Sequence, residues 1–353
     1  MSTVNDMIKE SVNRMFSQQV GKEVLDQVEA GVWPGELWQL VEESGFSQML
    51  STGSGDVEDG WQNAYPVFHA SGFYRLPLPL AETIIANALL GLAGLAPQDG
   101  PMTLAQQDSR LTLRVEGDCL VLNGAVASVP WARFVKRMVI VGRVGTQRVL
   151  GLVETAARGL RILPAENIAG EPRDRVSFHN TRCSEYAGWG EDLPDAPVTL
   201  FCALARAAMM VGAVQSVLQQ SVEYANDRVQ FGKPIGTYQA IQQALAIVAG
   251  EVACARTATL AACQAATLIP SVFDVAVAKI RAGQAAGVAA NIAHQVHGAF
   301  GFTHEHTLHY ATRRLWSWRA EYGAESIWAA DLGRQAIEHG GDKFWSALVA
   351  RQP

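Results

Sequence analysis

The sequence has little that would mark a secreted, metal-bound or nucleic-acid-binding protein. Among 353 residues there are five cysteines, Cys119, Cys183, Cys202, Cys254 and Cys263. The number is odd and no Cys-x-x-Cys spacing occurs. That argues against a disulfide framework and reads as buried, reduced thiols in a cytoplasmic protein. Charged residues make up 18% of the chain, the net charge is −6, and no basic cluster is longer than a few residues. Nucleic acid is therefore not expected as a partner. No uncharged apolar run reaches the roughly 20 residues that span a bilayer, so no membrane is expected either. The first ten residues carry acids early and lack an apolar core, unlike a signal peptide. No internal repeat recurs at a fixed period.

What is present is a globular composition with 49% hydrophobic residues. Apolar periodicity predicts helices over 4–16, 35–45, 56–73 and 81–95, with Leu37, Leu40 and Val41 on one face of the second. Near residue 98 the period changes to two. Segments 111–116 and 119–124 alternate about Gly117-Asp118, the signature of a hairpin. Segments 137–142, 148–154, 160–164 and 175–179 continue as strands, and 188–197 reads as a linker. From residue 198 the chain is helical again, with long alanine-rich helices over 198–226, 241–268 and 272–297, then 307–322 and 325–339. The expected class is α+β, mostly α. It has an N-terminal helical domain (1–97), a central β-barrel-like domain with linker (98–195) and a C-terminal four-helix-type bundle (196–353).

Two stretches carry chemistry. The first is Arg228-Val-Gln-Phe231-Gly-Lys-Pro-Ile-Gly-Thr-Tyr-Gln239-Ala-Ile-Gln242. Arg228 suits the carbonyl end of a helix, and Pro234 with two glycines breaks it. By itself this is a corner between helices. The combination, however, resembles the signature of the FAD-dependent acyl-CoA dehydrogenases. The second is Gln295-Val-His297-Gly298-Ala299-Phe300-Gly301-Phe302-Thr-His-Glu305, which resembles that family's Gln-x-x-Gly-Gly-x-Gly-(Phe/Tyr) corner, with Ala299 in place of one glycine. The order of domains read from periodicity is also that family's order.

The resemblance implies FAD as cofactor, an acyl-CoA substrate, an electron-transfer flavoprotein as electron acceptor, and a homo- or hetero-oligomer, dimer or tetramer. It implies that Arg228, Phe231, Gln239, Gln295 and Gly298 meet the dinucleotide across a subunit contact. It also implies that Thr103 keeps a flavin contact in the β domain. The family's Gly-Ser-Asp loop is missing there, and Ser128 and Pro130 stand where its Trp and Thr fall.

The reaction implied is α,β-dehydrogenation, which needs a carboxylate base in a dry site. The family's position for it falls on Tyr322, with the acid one residue early at Glu321. One residue on a helix turns a side chain by about 100°, so Glu321 serves only if the local turn differs. Glu321 is the candidate base; the other reading is a solvated or Arg-paired surface acid beside Arg319. Arg206, on an apolar helix, is either an ion-paired or snorkelling arginine or a ligand-pocket cation. The histidines at 294–309 show no metal-ligand spacing, so no metal is expected. The leading expectation is an acyl-CoA dehydrogenase-like oxidoreductase. The alternative is a non-catalytic subunit of a heteromeric acyl-CoA dehydrogenase, of the kind used in steroid degradation, that completes the FAD site of its partner.

Overall fold

The computed structural model describes residues 3–51, 60–188, 190 and 193–350. The chain forms two compact units interleaved in sequence: Met1–Ser17, Trp61–Leu76 and Ala203–Pro353 make one, Gln18–Gly60 and Pro77–Cys202 the other.

The first unit is helical. It contains α1 (Thr3–Gln19), α4 (Gly60–Phe73), most of α6 (Pro197–Asp227), α7 (Gln239–Ala265), α8 (Val272–His297), α9 (Leu308–Ala320), α10 (Glu325–His339) and α11 (Gly341–Val349). The predicted helix over 56–73 is observed from Gly60; its expected first residues lie outside the described ones. Pro66 sits inside α4. It lacks an N–H, so the carbonyl four residues earlier, that of Gln62, loses its helical partner. The buried amide of Asn5 donates to that carbonyl at 2.7 Å. α4 and α6 cross closely through paired glycines. A Cβ on Gly72 would collide with the Met209 carbonyl, and one on Gly212 with the His69 carbonyl. α6 and α7 are both long and apolar enough to cross a membrane by length and composition. The apolar window of α6 is 94% buried inside the protein, that of α7 only 22%.

The second unit holds α2 (Lys22–Glu29), α3 (Gly35–Glu43), α5 (Leu80–Leu92) and strands β1 (Met102–Gln106), β2 (Leu111–Glu116), β3 (Cys119–Pro130), β4 (Arg137–Val144), β5 (Gln147–Glu154), β6 (Leu160–Leu163), β7 (Arg173–Cys183) and β8 (Glu185–Gly188). In α3 the buried face is Leu37, Trp38 and Val41, while Leu40 is exposed. The expected barrel is replaced by two four-stranded sheets, β1-β4-β5-β8 and β2-β3-β7-β6. The hairpin β2–β3 forms as predicted, and β4 and β5 make a second antiparallel pair in the other sheet. No ladder among the described residues joins the sheet edges, so the barrel does not close. Leu120, Leu122, Met138, Ile140, Val149, Val153, Val176 and Phe178 fill their shared core. Among the cysteines, Cys183, Cys202 and Cys263 are buried as expected, but Cys254 is exposed on α7.

Candidate functional site

The Arg228 corner is built by backbone geometry. α6 stops at Asp227, and the Arg228 N–H still bonds the Tyr224 carbonyl at 2.9 Å. Val229–Gln230 (β9) then pairs antiparallel with Lys233–Pro234 (β10). The two residues between them, Phe231 and Gly232, are both left-handed, with φ 54° and 83°. That is the conformation of a tight two-residue hairpin. It is natural for glycine and strained for phenylalanine, yet Phe231 holds it while 93% exposed as a residue. Ile235 donates back to the Arg228 carbonyl at 2.8 Å, and the Gln242 amide caps Gly236 at 2.9 Å, so the hairpin is fixed to both helices. Lys233 lies 4.4 Å from the centre of the Tyr238 ring.

The second corner ends α8. Gly298 has φ 59° and ψ −144°, a region closed to residues with a side chain. A short 3-10 turn, Gly298–Phe302, follows. The two corners enclose one cleft of about 570 Å³, lined among others by Arg228, Gln295 and Gly298. Phe231 and Gln239 are exposed but do not line it.

The wall of this cleft contains a ring stack that sequence reading did not assemble. Tyr224 stacks on His297 at 4.5 Å and on Phe300 at 5.9 Å, and His306 stands edge-on to His297 at 4.7 Å. Burial lowers the pKa of His297 and His306 from the ordinary histidine value, which favours neutral rings. His297 Nδ1 pairs with the Ala293 carbonyl at 2.8 Å, whereas its buried Nε2 has no hydrogen-bond partner. In the sequence the stack shows only as rings near the ends of α6 and α8, Tyr224 and His297. No group of three or more potential metal ligands occurs among the described residues.

Glu321 lies elsewhere in this unit. α9 ends at Ala320, Glu321 is extended (φ −65°, ψ 136°), and Tyr322 (φ 55°) and Gly323 (φ 99°) are left-handed. The one-residue offset is therefore not a 100° step on a helix; the bend re-aims the side chain. The Glu321 carboxylate takes a 2.8 Å hydrogen bond from Nε of Arg206, whose side chain is 4% exposed. Arg206 is thus an ion-paired arginine, and it also faces the Trp318 and Tyr322 rings at 5.7 and 5.8 Å. The neighbouring Arg319 pairs with Glu325 at 2.6 Å, so the arginine partner of Glu321 is Arg206.

In the β unit, Thr103 on β1 is fully buried and its hydroxyl makes no hydrogen bond. Ser128 is left-handed (φ 58°) at an irregularity in the β3–β7 pairing. Trp131, also left-handed, is buried against Trp33 and Phe134. The residues of the cleft suit a dinucleotide: a guanidinium for phosphate, amides for polar edges, flat rings for an aromatic base, and an unpaired buried nitrogen.

Residues 202–337 match the family model described as "Acyl-CoA dehydrogenase, C-terminal domain". The chain is 28% identical over 316 residues to acyl-CoA dehydrogenase IpdE2 of Mycobacterium tuberculosis, covering 87% of this chain and 89% of that one. Its fold is similar to a chain in the ChsE4-ChsE5 complex from Mycobacterium tuberculosis, with a TM-score of 0.86 at 20% identity over 97% of this chain and 99% of that one. It is similar as well to a chain of the Tcur3481-Tcur3483 steroid ACAD, with a TM-score of 0.83 at 21% identity over 95% and 98% of the two chains. Residues 202–337 thus carry an acyl-CoA dehydrogenase C-terminal domain, and the chain as a whole shares the fold of these solved structures.

Proposed function

We propose that the chain is a subunit of an FAD-dependent acyl-CoA dehydrogenase and takes part in α,β-dehydrogenation of an acyl-CoA thioester in the cytoplasm. The observation that carries this reading is the single cleft shared by Arg228, Gln295 and Gly298. Arg228 offers fixed donors to a pyrophosphate, Gln295 and Gln239 offer amides, Gly298 allows close backbone approach, and the exposed Phe231 covers a ring. Thr103 offers its unpaired hydroxyl. When bound, FAD supplies the hydride acceptor. Glu321 takes the α-proton, and Arg206 holds its carboxylate in place through the Nε hydrogen bond. Electrons pass on to an electron-transfer flavoprotein. The division at 1–97, 98–195 and 196–353 is part of the same proposal.

A second reading is favoured by the β unit. Ser128 and Pro130 replace the flavin-covering pair of the resemblance, and Ser128 lies in an irregular segment. In this reading the chain lacks a working flavin face of its own and completes the FAD site of a different chain. The named solved neighbours, a ChsE4-ChsE5 complex and a Tcur3481-Tcur3483 steroid ACAD, support a paired assembly and a steroid-derived acyl group.

One experiment separates the two. The chain is purified alone and with a co-expressed second acyl-CoA dehydrogenase chain. Visible spectra are recorded, and straight-chain and steroid-derived acyl-CoA thioesters are added without oxygen. Yellow protein from the chain alone that bleaches supports the first reading. Colour and bleaching only in the co-expressed pair support the second. No flavin in either preparation refutes both. Unchanged bleaching in Glu321→Gln removes Glu321 from the role of base.

A further inference from the structure

Lys279 lies on α8 and is 1% exposed. Its ammonium donates to three backbone carbonyls, those of Trp318 at 3.1 Å, Arg319 at 2.8 Å and Gly323 at 2.9 Å. All three of its N–H groups are thereby used. Trp318 and Arg319 belong to the last turn of α9, where carbonyls lack helical partners and a cation suits the dipole. Gly323 lies beyond the bend. One side chain thus ties the two flanks of Glu321-Tyr322 together.

Other contacts hold the same bend. Trp328 Nε1 donates to the Tyr322 carbonyl at 3.1 Å, and a Cβ on Gly323 would come 2.6 Å from that nitrogen. On α8, Gly283 and Gly287 follow Lys279 at helical four-residue intervals. A Cβ on Gly283 would meet the Glu325 carboxylate, and one on Gly287 would lie 3.0 Å from the Arg319 guanidinium. The stripe Lys279-Gly283-Gly287 is therefore a socket for the end of α9 and the start of α10.

We propose that Lys279 is a positioning residue: by stapling the end of α9 to Gly323 it sets the bend that presents Glu321 to its substrate. This rests on the reading of Glu321 as the base. The staple is also sensitive to pH. An ammonium satisfies three carbonyls, whereas a neutral amine has two N–H groups and must release one. Burial lowers the Lys279 pKa to about 8; Glu325 on α10 and Glu321 at the bend oppose the shift, and Arg206 on α6 and Arg319 on α9 add to it. The bend loosens as pH rises through that value.

The test compares the full chain, in whichever assembly carries flavin, with its Lys279→Met variant. Methionine keeps the length and removes the donors. Hydrogen exchange at residues 321–324, corrected for the intrinsic rate, is followed from about pH 7 to about pH 9.5. Protection in the unaltered protein should fall with rising pH. In the variant it should be lower throughout and independent of pH. With an acyl-CoA that bleaches the flavin, kcat should drop roughly 10- to 100-fold while KM stays within a few-fold, and an alkaline limb near the Lys279 pKa should vanish. Equal, pH-independent protection in both proteins overturns the proposal, as does an unchanged kcat profile. Loss of the base assignment is read separately: activity surviving in Glu321→Gln refutes that reading and leaves the exchange result standing for the bend alone.

Discussion

Replacing Arg206 with methionine removes a guanidinium whose side chain is 4% exposed and leaves the Glu321 carboxylate, 17% exposed, without it. Breaking a buried pair by deleting one partner costs about 3–5 kcal/mol, because the other charge stays behind poorly solvated. Glu321 is partly reachable by water, which reduces that cost. Loss of the contacts with the Trp318 and Tyr322 rings adds about 0.5–2 kcal/mol. Methionine fills much of the vacated volume. The net expectation is a loss of about 2–4 kcal/mol. Glu321→Gln keeps an acceptor for Arg206 and should cost less, about 1–2 kcal/mol. The double variant should lose less than the sum, with a coupling of about 1–3 kcal/mol. Urea denaturation at neutral pH, followed by tryptophan fluorescence, measures all three, since Trp318 lies against Arg206. Single losses that add to within about 0.5 kcal/mol would refute the pair as an energetic unit.

Gly212→Ala forces a methyl into the His69 carbonyl and to 2.8 Å from the Phe73 nitrogen, so α4 and α6 must separate; the expected loss of about 3 kcal/mol lowers the melting temperature by roughly 5 °C or more, and an unchanged melt would contradict the close crossing. Asn5→Ala leaves the Gln62 carbonyl, already deprived of a partner by Pro66, without its donor; a loss of about 1–3 kcal/mol should follow, and a Pro66→Ala background should recover part of it. His69 is partly buried beside Gln215, and desolvation first, then Arg256 and Lys9, lower its pKa from 6.5 to about 4 against the favourable Gln215 hydrogen bond. The unfolded chain therefore binds the proton more tightly. The contribution is fully present above pH 6.5 and is lost as pH falls towards 4, by about 3 kcal/mol in all; His69→Gln should flatten that acid slope in denaturation curves, and an unaltered slope would rule His69 out as its cause.

The elements were largely legible because their causes are local. The hairpin at Gly117-Asp118 and α8 from Val272 to His297 follow from turn chemistry and periodicity alone. So does the break at Pro234. Two features depend on more than periodicity. Barrel closure requires ladders between strand edges, and nothing in the alternation of β2 or β6 states whether an edge finds a partner. The exposure of Cys254 depends on which face of α7 is covered. α2 and α11 are not expected from the pattern and appear only in the fold.

The same division runs through the candidate site. The two corners are legible from the chain alone, because proline at 234 and glycines at 232 and 298 restrict or free the backbone locally. The resemblance carried by those stretches is also what proposes a dinucleotide for them. Tertiary structure alone decided what Glu321 touches. Its partner Arg206 lies 115 residues earlier, and the lysine that holds its bend stands 39 to 44 residues away on a helix whose sequence reads only as alanine-rich packing. Ion pairs and buried caps are made between elements, after each has formed. Their partners are chosen by how helices stack, a property no single stretch of the chain contains.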